Sequence, residues 1–143
     1  MSAVPVAFFG LQPDLSQKIQ EALEPEYDGV PTKVVHTVFD FATFERELTP
    51  LLQGDKNAAP SSGLGSNTHR SPADRKVPVI VFFAGAISPE DVGKVTEAVK
   101  RVAPGTHLVQ ATRDEVRQAG ATGPDPAIIA KVLKQKFAQA LKQ

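Results

Sequence analysis

The residue types that carry hydrolytic chemistry are present in this chain but do not converge. His36, His69 and His107 fall in an apolar run, a polar stretch and the start of a second apolar run. A general base needs a nucleophile or water within hydrogen-bond reach and a third group to orient it. No Gly-x-Ser-x-Gly elbow, His-Glu-x-x-His helix or metal-spaced cluster supplies those partners. His36, inside Lys-Val-Val-His-Thr-Val, reads as a core or edge histidine. There is no cysteine, which excludes disulfides, thiolate metal sites, iron–sulfur clusters and thiol nucleophiles. Glu24, Glu26 and Asp28 beside Tyr27 read as a solvated helix end before a turn at Gly29. No metal site and no resident cofactor are expected from these residues.

Two stretches have residue types that contact phosphate. Ser61-Ser62-Gly63-Leu64-Gly65-Ser66-Asn67 is rich in small residues, whose backbone amides can cradle an anion. Working phosphate loops follow a strand, open a helix and carry Gly-Lys-Ser/Thr. This stretch follows a helical pattern, precedes a strand-like run and lacks that lysine. It reads as a connector, with a lid or a partner-contact loop as the functional alternatives. Gly10 after one apolar run and Asp40 after the next have the context of a dinucleotide site. Gly10-Leu11-Gln12-Pro13-Asp14, however, replaces the required glycines with larger side chains and places a carboxylate beside the diphosphate position. Asp40 is read as a helix cap, and no NAD or FAD fingerprint is present.

The elements that must position these residues follow from hydrophobic patterning. Val4 to Phe9, Lys33 to Val38, Val77 to Phe83 and Thr106 to Ala111 read as four strands. Their apolar runs lack polar alternation, as in parallel strands covered on both faces. Between them lie helical patterns. Asp14 and Gln17 have capping-box spacing ahead of Leu15, Ile19, Ala22 and Leu23. Asp40 caps a second helix that Pro50 should kink or shorten. Ser88-Pro89-Glu90-Asp91 opens a third, which Pro104-Gly105 stops. Thr112 and Glu115 have capping-box spacing before Gly120, and Asp125-Pro126 opens the last helix. Lys131, Lys134, Lys136 and Lys142 on that helix are read as a solvated face.

Strand alternating with helix predicts one α/β domain over residues 1–143. The expected architecture is a three-layer sandwich with a small, mostly parallel four-stranded sheet of order 2-1-3-4, flavodoxin- or Rossmann-like. Residues 54–76 form a long flexible loop, placed by this topology at the amino edge of the sheet. The carboxyl edge gathers Gly10, Gln12, Asp40, Gly85, Ser88, Thr112 and Arg113 as candidate ligand-binding residues. Two glycines permit close approach to the backbone, Ser88 and Thr112 top helices, and Arg113 supplies a cation. That set suits a small anionic or phosphorylated ligand. The bland alternative is that Ser88 and Thr112 only cap helices and Arg113 points to water.

Composition narrows the partners. In 143 residues, 16 lysines and arginines balance 16 acids, so the formal net charge is zero. Nucleic-acid binding normally needs excess cations to displace counterions, so no nucleic-acid partner is expected. No window approaches the roughly 18 apolar residues of a membrane span, and the first segment lacks the basic start of a signal peptide. A cytoplasmic setting is expected.

The predicted order of elements resembles the receiver domain of response regulators. Those domains carry an acidic pair after the first strand and a phosphorylated aspartate after the third. Phe9-Gly10 and Ala84-Gly85 occupy those places here, and Thr112 alone matches the receiver's hydroxyl position. Ser61–Asn67, Pro72-Ala73-Asp74-Arg75-Lys76-Val77-Pro78 and Gly123-Pro124-Asp125-Pro126 give the chain a resemblance to a group of small uncharacterised fungal proteins. That resemblance implies a eukaryotic intracellular setting and no activity. The expected function is a non-catalytic binding or regulatory module that self-associates, for example as a homodimer, or engages a protein partner. The alternative is a small-molecule enzyme or nucleotide binder using the carboxyl edge.

Overall fold

The computed structural model describes residues 4–23, 31–123 and 125–142. Four strands, β1 (Val4–Phe9), β2 (Thr32–Val38), β3 (Ile80–Phe83) and β4 (His107–Gln110), form one parallel sheet of order β2-β1-β3-β4. The expected α/β fold and strand order are both observed. β3 begins at Ile80 rather than Val77 because Pro78 has no N–H to donate to a ladder. β4 is likewise shorter than its apolar pattern, at four residues.

Helices cover both faces. On one side α1 (Pro13–Leu23), α5 (Arg113–Gln118) and α6 (Pro126–Leu141) pack on Val6, Phe8, Val34, Ile80 and Phe82. Phe8 stacks on Phe82 at 4.4 Å between centroids, and Phe137 of α6 meets Phe82 edge-on at 5.3 Å. Each such ring pair adds about 0.5–1.5 kcal/mol beyond burial. On the other side α2 (Phe41–Thr43), a π-helical turn (Phe44–Leu48), α3 (Thr49–Leu52) and α4 (Pro89–Val102) cover Ala7, Phe9, Val38, Val81 and Phe83. The π turn ends at Leu48, two residues before Pro50. Thr49 N–H bonds to Phe44 O, five residues back, and the helix resumes past a proline that cannot donate.

Most helix starts follow the sequence. Asp40 Oδ1 accepts from Thr43 N–H at 2.7 Å, and Ser88 Oγ accepts from Asp91 N–H at 3.2 Å. Thr112 and Glu115 close a reciprocal capping box, and Asp125 accepts from Ala127 and Ile128. The capping box expected at Asp14 and Gln17 does not form. α1 starts at Pro13, whose ring presets φ for the first helical position, so Asp14 falls inside the first turn. Gln17 instead reaches Glu21. The lysines of α6 depart from a uniform solvated face. Lys134 is 2% exposed, and Lys136 Nζ bonds Gln110 O at 2.7 Å and the Glu115 carboxylate at 2.6 Å.

A register shift in β2 decides where its side chains go. Val6 pairs with Val34 but Ala7 pairs with His36, so Val35 is skipped. Strict alternation would place Val34, His36 and Val38 on one face. The bulge instead leaves Val34 in the α1/α6 core and sends Val38 to the opposite core. His36 goes with Val38, towards the π turn.

Residues 54–76 contain two short 3-10 turns (Ser66–His69 and Pro72–Asp74) and run along the outer side of β2. Thr37 N–H donates to Leu64 O at 3.2 Å, and Ser62 Oγ donates to Thr37 O at 2.7 Å. Asn67 is fully buried. Its amide donates to Lys76 O and accepts from Lys76 N–H, both at 2.9 Å, which closes the segment on itself. Arg75 Nη1 donates to Lys56 O at 2.8 Å. The expected amino-edge position is therefore corrected. Ser62 meets β2 one residue from its carboxyl end, because the segment pairs sideways with the strand instead of passing beneath the sheet.

Candidate functional site

Parallel strands end together, and helices diverge from their carboxyl ends, so a cleft opens where neighbouring crossovers leave in opposite directions. In the order β2-β1-β3-β4 that point lies between β1 and β3. A cavity of about 420 Å³ occupies it. Its interior is built from Phe8, Ile19, Ala111, Val116 and Leu133. Its polar lining consists of Gln12, Ser16, Arg113, Arg117 and Thr122.

Three of the seven candidate residues, Gln12, Gly85 and Arg113, line this cavity. Gly85 is there for a steric reason, since a Cβ at this position would lie 2.8 Å from Ala111 O. Gly10 sits just behind the wall, where a Cβ would strike Ser16 Oγ. Asp40, Ser88 and Thr112 do not line it. Their oxygens accept from helix N-terminal amides, the bland alternative for each. Asp40 and Ser88 open α2 and α4, on the far face of the sheet. The hydrogen bond from Thr43 N–H holds the Asp40 carboxyl below its ordinary value. The Thr112 hydroxyl also donates to Glu115 at 2.9 Å, so the one residue matching a receiver position is committed to its helix.

Sequence reasoning missed Ser16 and Arg117. Ser16 is 3% exposed and lies against Gly10, and its hydroxyl makes no hydrogen bond to a described residue. Arg117 follows Arg113 by four residues, one helical turn, so both guanidinium groups reach the same side of α5. That spacing was visible in the sequence. Arg117 Nη1 lies 3.6 Å from exposed Asp114, whereas Arg113 has no ion pair among the described residues.

A second cluster lies beneath the segment 54–76. His36 Nε2 is 2.9 Å from Glu47 Oε1, and Ser61 N–H donates to the same oxygen at 3.2 Å. Burial pushes the His36 imidazole below its ordinary value. The hydrogen bond and charge of Glu47 oppose that shift without overcoming it, and Arg75 adds to it. Burial would raise Glu47, but hydrogen bonds from Ser61 and His36 outweigh it and hold the carboxyl below its ordinary value. The imidazole is completely buried, so substrate cannot reach it. This is a core histidine, and the pair is a structural anchor.

The acidic patch at Glu24, Glu26 and Asp28 lies outside the described residues. Among the described residues no group of three or more His, Asp or Glu could hold a metal ion, and no helix is long and apolar enough to cross a membrane. No protein-family model matches the chain, and no curated protein or solved structure is significantly similar to it. The geometry of the cleft therefore carries the functional argument.

Proposed function

We propose that the chain is a non-catalytic binding module that takes a small anionic ligand into the cleft between β1 and β3. The observation that carries this reading is the chemistry of the cavity lining. It offers apolar walls and two arginines but no His, Asp, Glu, Lys, Cys or Tyr. Acid–base and nucleophilic catalysis need a titratable or activated group within hydrogen-bond reach of the substrate. Ser16 is the sole hydroxyl among the buried lining residues, and no lining residue could serve as its base. Apolar concave surface with a few polar groups is the usual make-up of a ligand site.

Thermal unfolding of the full chain against nucleotides, dinucleotides, sugar phosphates, acyl-CoA and simple carboxylates tests this reading. A stabilising shift that disappears in Arg113→Ala is the expected result. Turnover of any ligand at the cleft would overturn the non-catalytic part, and silence across the panel would remove the ligand site. In that case the self-associating or partner-binding module expected from the sequence takes its place. The likeness to flavodoxin- and Rossmann-type proteins and to small fungal proteins, and with it a cytoplasmic setting, belongs to the same proposal.

A further inference from the structure

Resting on the reading of the cleft as a ligand site, we infer that its ligand is an aliphatic monocarboxylate, with its chain against Phe8, Ile19, Val116 and Leu133 and its head group at Arg113 and Arg117. Four observations point to this class and away from nucleotides and other phosphorylated ligands.

The first is the ratio of apolar to polar wall. The interior is closed by aliphatic and phenyl carbon, with Ser16 as its one buried polar side chain. A nucleobase or sugar carries several donors and acceptors, and each one left unpaired inside such a wall loses its hydration without a replacement bond. An alkyl chain has none to satisfy. The Ser16 hydroxyl, without a bond to a described residue, can accommodate one oxygen on the chain.

The second is ring access. Phe8 is almost wholly buried, and its face is already stacked on Phe82, so it is not a platform for a base. Base recognition commonly uses an open aromatic face.

The third is the charge at the mouth. Arg117 Nη1 lies 3.6 Å from Asp114 on its own helix, whereas Arg113 has no ion pair among the described residues. With one of the two cations already facing a carboxylate, a single formal positive charge is left for the ligand, short of what a dianion needs. One carboxylate, accepting from a guanidinium fork, fits that balance.

The fourth is the β1–α1 turn. A phosphate site there would use successive backbone amides, but Pro13 at the first position of α1 has no N–H, and Asp14 follows it. The diphosphate subsite of doubly wound sheets is blocked by the chain's own residues.

The experiment titrates the full chain with octanoate, octanamide, acetate, inorganic phosphate and AMP, followed by calorimetry and amide NMR. Octanoate is expected to saturate and to shift the amides of Gln12, Ser16, Gly85 and Arg113 to Arg117. Octanamide, which keeps the chain but not the charge, and acetate, which keeps the charge but not the chain, should each bind at least about 10-fold more weakly. The Arg113→Gln/Arg117→Gln double variant, altered only at exposed side chains, should lose about 10-fold or more for octanoate while keeping its melting temperature. Tighter binding of AMP or phosphate in the cleft, or octanoate binding that the double variant leaves unchanged, overturns this inference and leaves the ligand-site reading standing. Silence of the cleft amides to all five probes overturns both.

Discussion

His36 Nε2 lies 2.9 Å from Glu47 Oε1, and this buried contact joins the middle of β2 to the π turn that covers it. The carboxylate accepts, so the imidazole carries its proton on Nε2, and Nδ1 is left buried without a partner. Glu47 also accepts from Ser61 N–H. One carboxylate thus holds strand, helix and the start of the segment beside the strand.

This contact predicts acid lability. The folded imidazole titrates below its unfolded value of 6.5, so below that pH the unfolded chain takes up the proton first. The stability from neutral His36 is full above pH 6.5 and is lost as the pH falls through the depressed folded value. Glu47 adds a second loss below its unfolded value of 4.5 for the same reason of sign. Urea denaturation from pH 8 to 5 should show the first loss in the native chain and not in His36→Gln, whose amide can still donate to Glu47. An unchanged slope in that variant would assign the effect to another group.

Gly65 and Gly63 should respond unequally to alanine. Both have positive φ, 109° and 74°, but a Cβ at Gly63 meets nothing within 4 Å. A Cβ at Gly65 would lie 2.5 Å from Val35 O. Gly63→Ala should cost only the left-handed backbone term, about 1–2 kcal/mol. Gly65→Ala should cost more, because it must also push the segment off β2. Equal melting temperatures for the two variants would contradict the close approach.

Lys136 is expected to act as a tie between α6 and the end of β4. Its Nζ bonds Gln110 O and the Glu115 carboxylate, and that hydrogen bond is the main reason the Glu115 carboxyl sits below its ordinary value. Both side chains are about one-third exposed, at 29% and 39%, so water and salt screen the pair. Lys136→Met should therefore destabilise by only about 0.5–1.5 kcal/mol, less in high salt. A double-mutant cycle with Glu115→Gln measures the coupling, and a value near zero would leave Gln110 O as the contact that matters.

Gly85→Ala should narrow the cleft from the sheet side. The new Cβ would meet Ala111 O at 2.8 Å and Arg113 N at 3.3 Å, backbone atoms that yield only if α5 moves. Loss of octanoate binding together with a lowered melting temperature is expected. Native stability with native binding would show that Gly85 does not set the spacing between β3 and α5.

Much of this architecture was legible because local signals agreed. Val4 to Phe9 is bounded by Gly10 and matches β1 at both ends, and four helix caps are where Asp40, Ser88, Thr112 and Asp125 place them. Several features escaped the sequence because they depend on a partner distant along the chain. The bulge at Val35 has no signature in Lys-Val-Val-His-Thr-Val, yet it turns His36 towards Glu47. Asn67 looks like a loop residue until Lys76 returns to meet both ends of its amide. In the cleft, Gly85 and Arg113 followed from topology. Ser16 did not, because its role depends on lying against Gly10. Asp40 and Ser88 were over-read, since residues at the carboxyl edge of a sheet also begin helices on its other face.

The segment beside β2 has a consequence for how molecules of this chain meet. An outer strand with unpaired amides and carbonyls templates another chain, and proteins suppress such templating by covering or blunting it. Here Leu64 and Ser62 consume both the donor and the acceptor of Thr37, and at the opposite border Lys136 takes the carbonyl of Gln110. Cleavage within residues 54–76 that let this strap peel away would bare a seven-residue, valine-rich strand. Removing this strap is expected to leave the β2 edge open to pairing with a second copy of the chain.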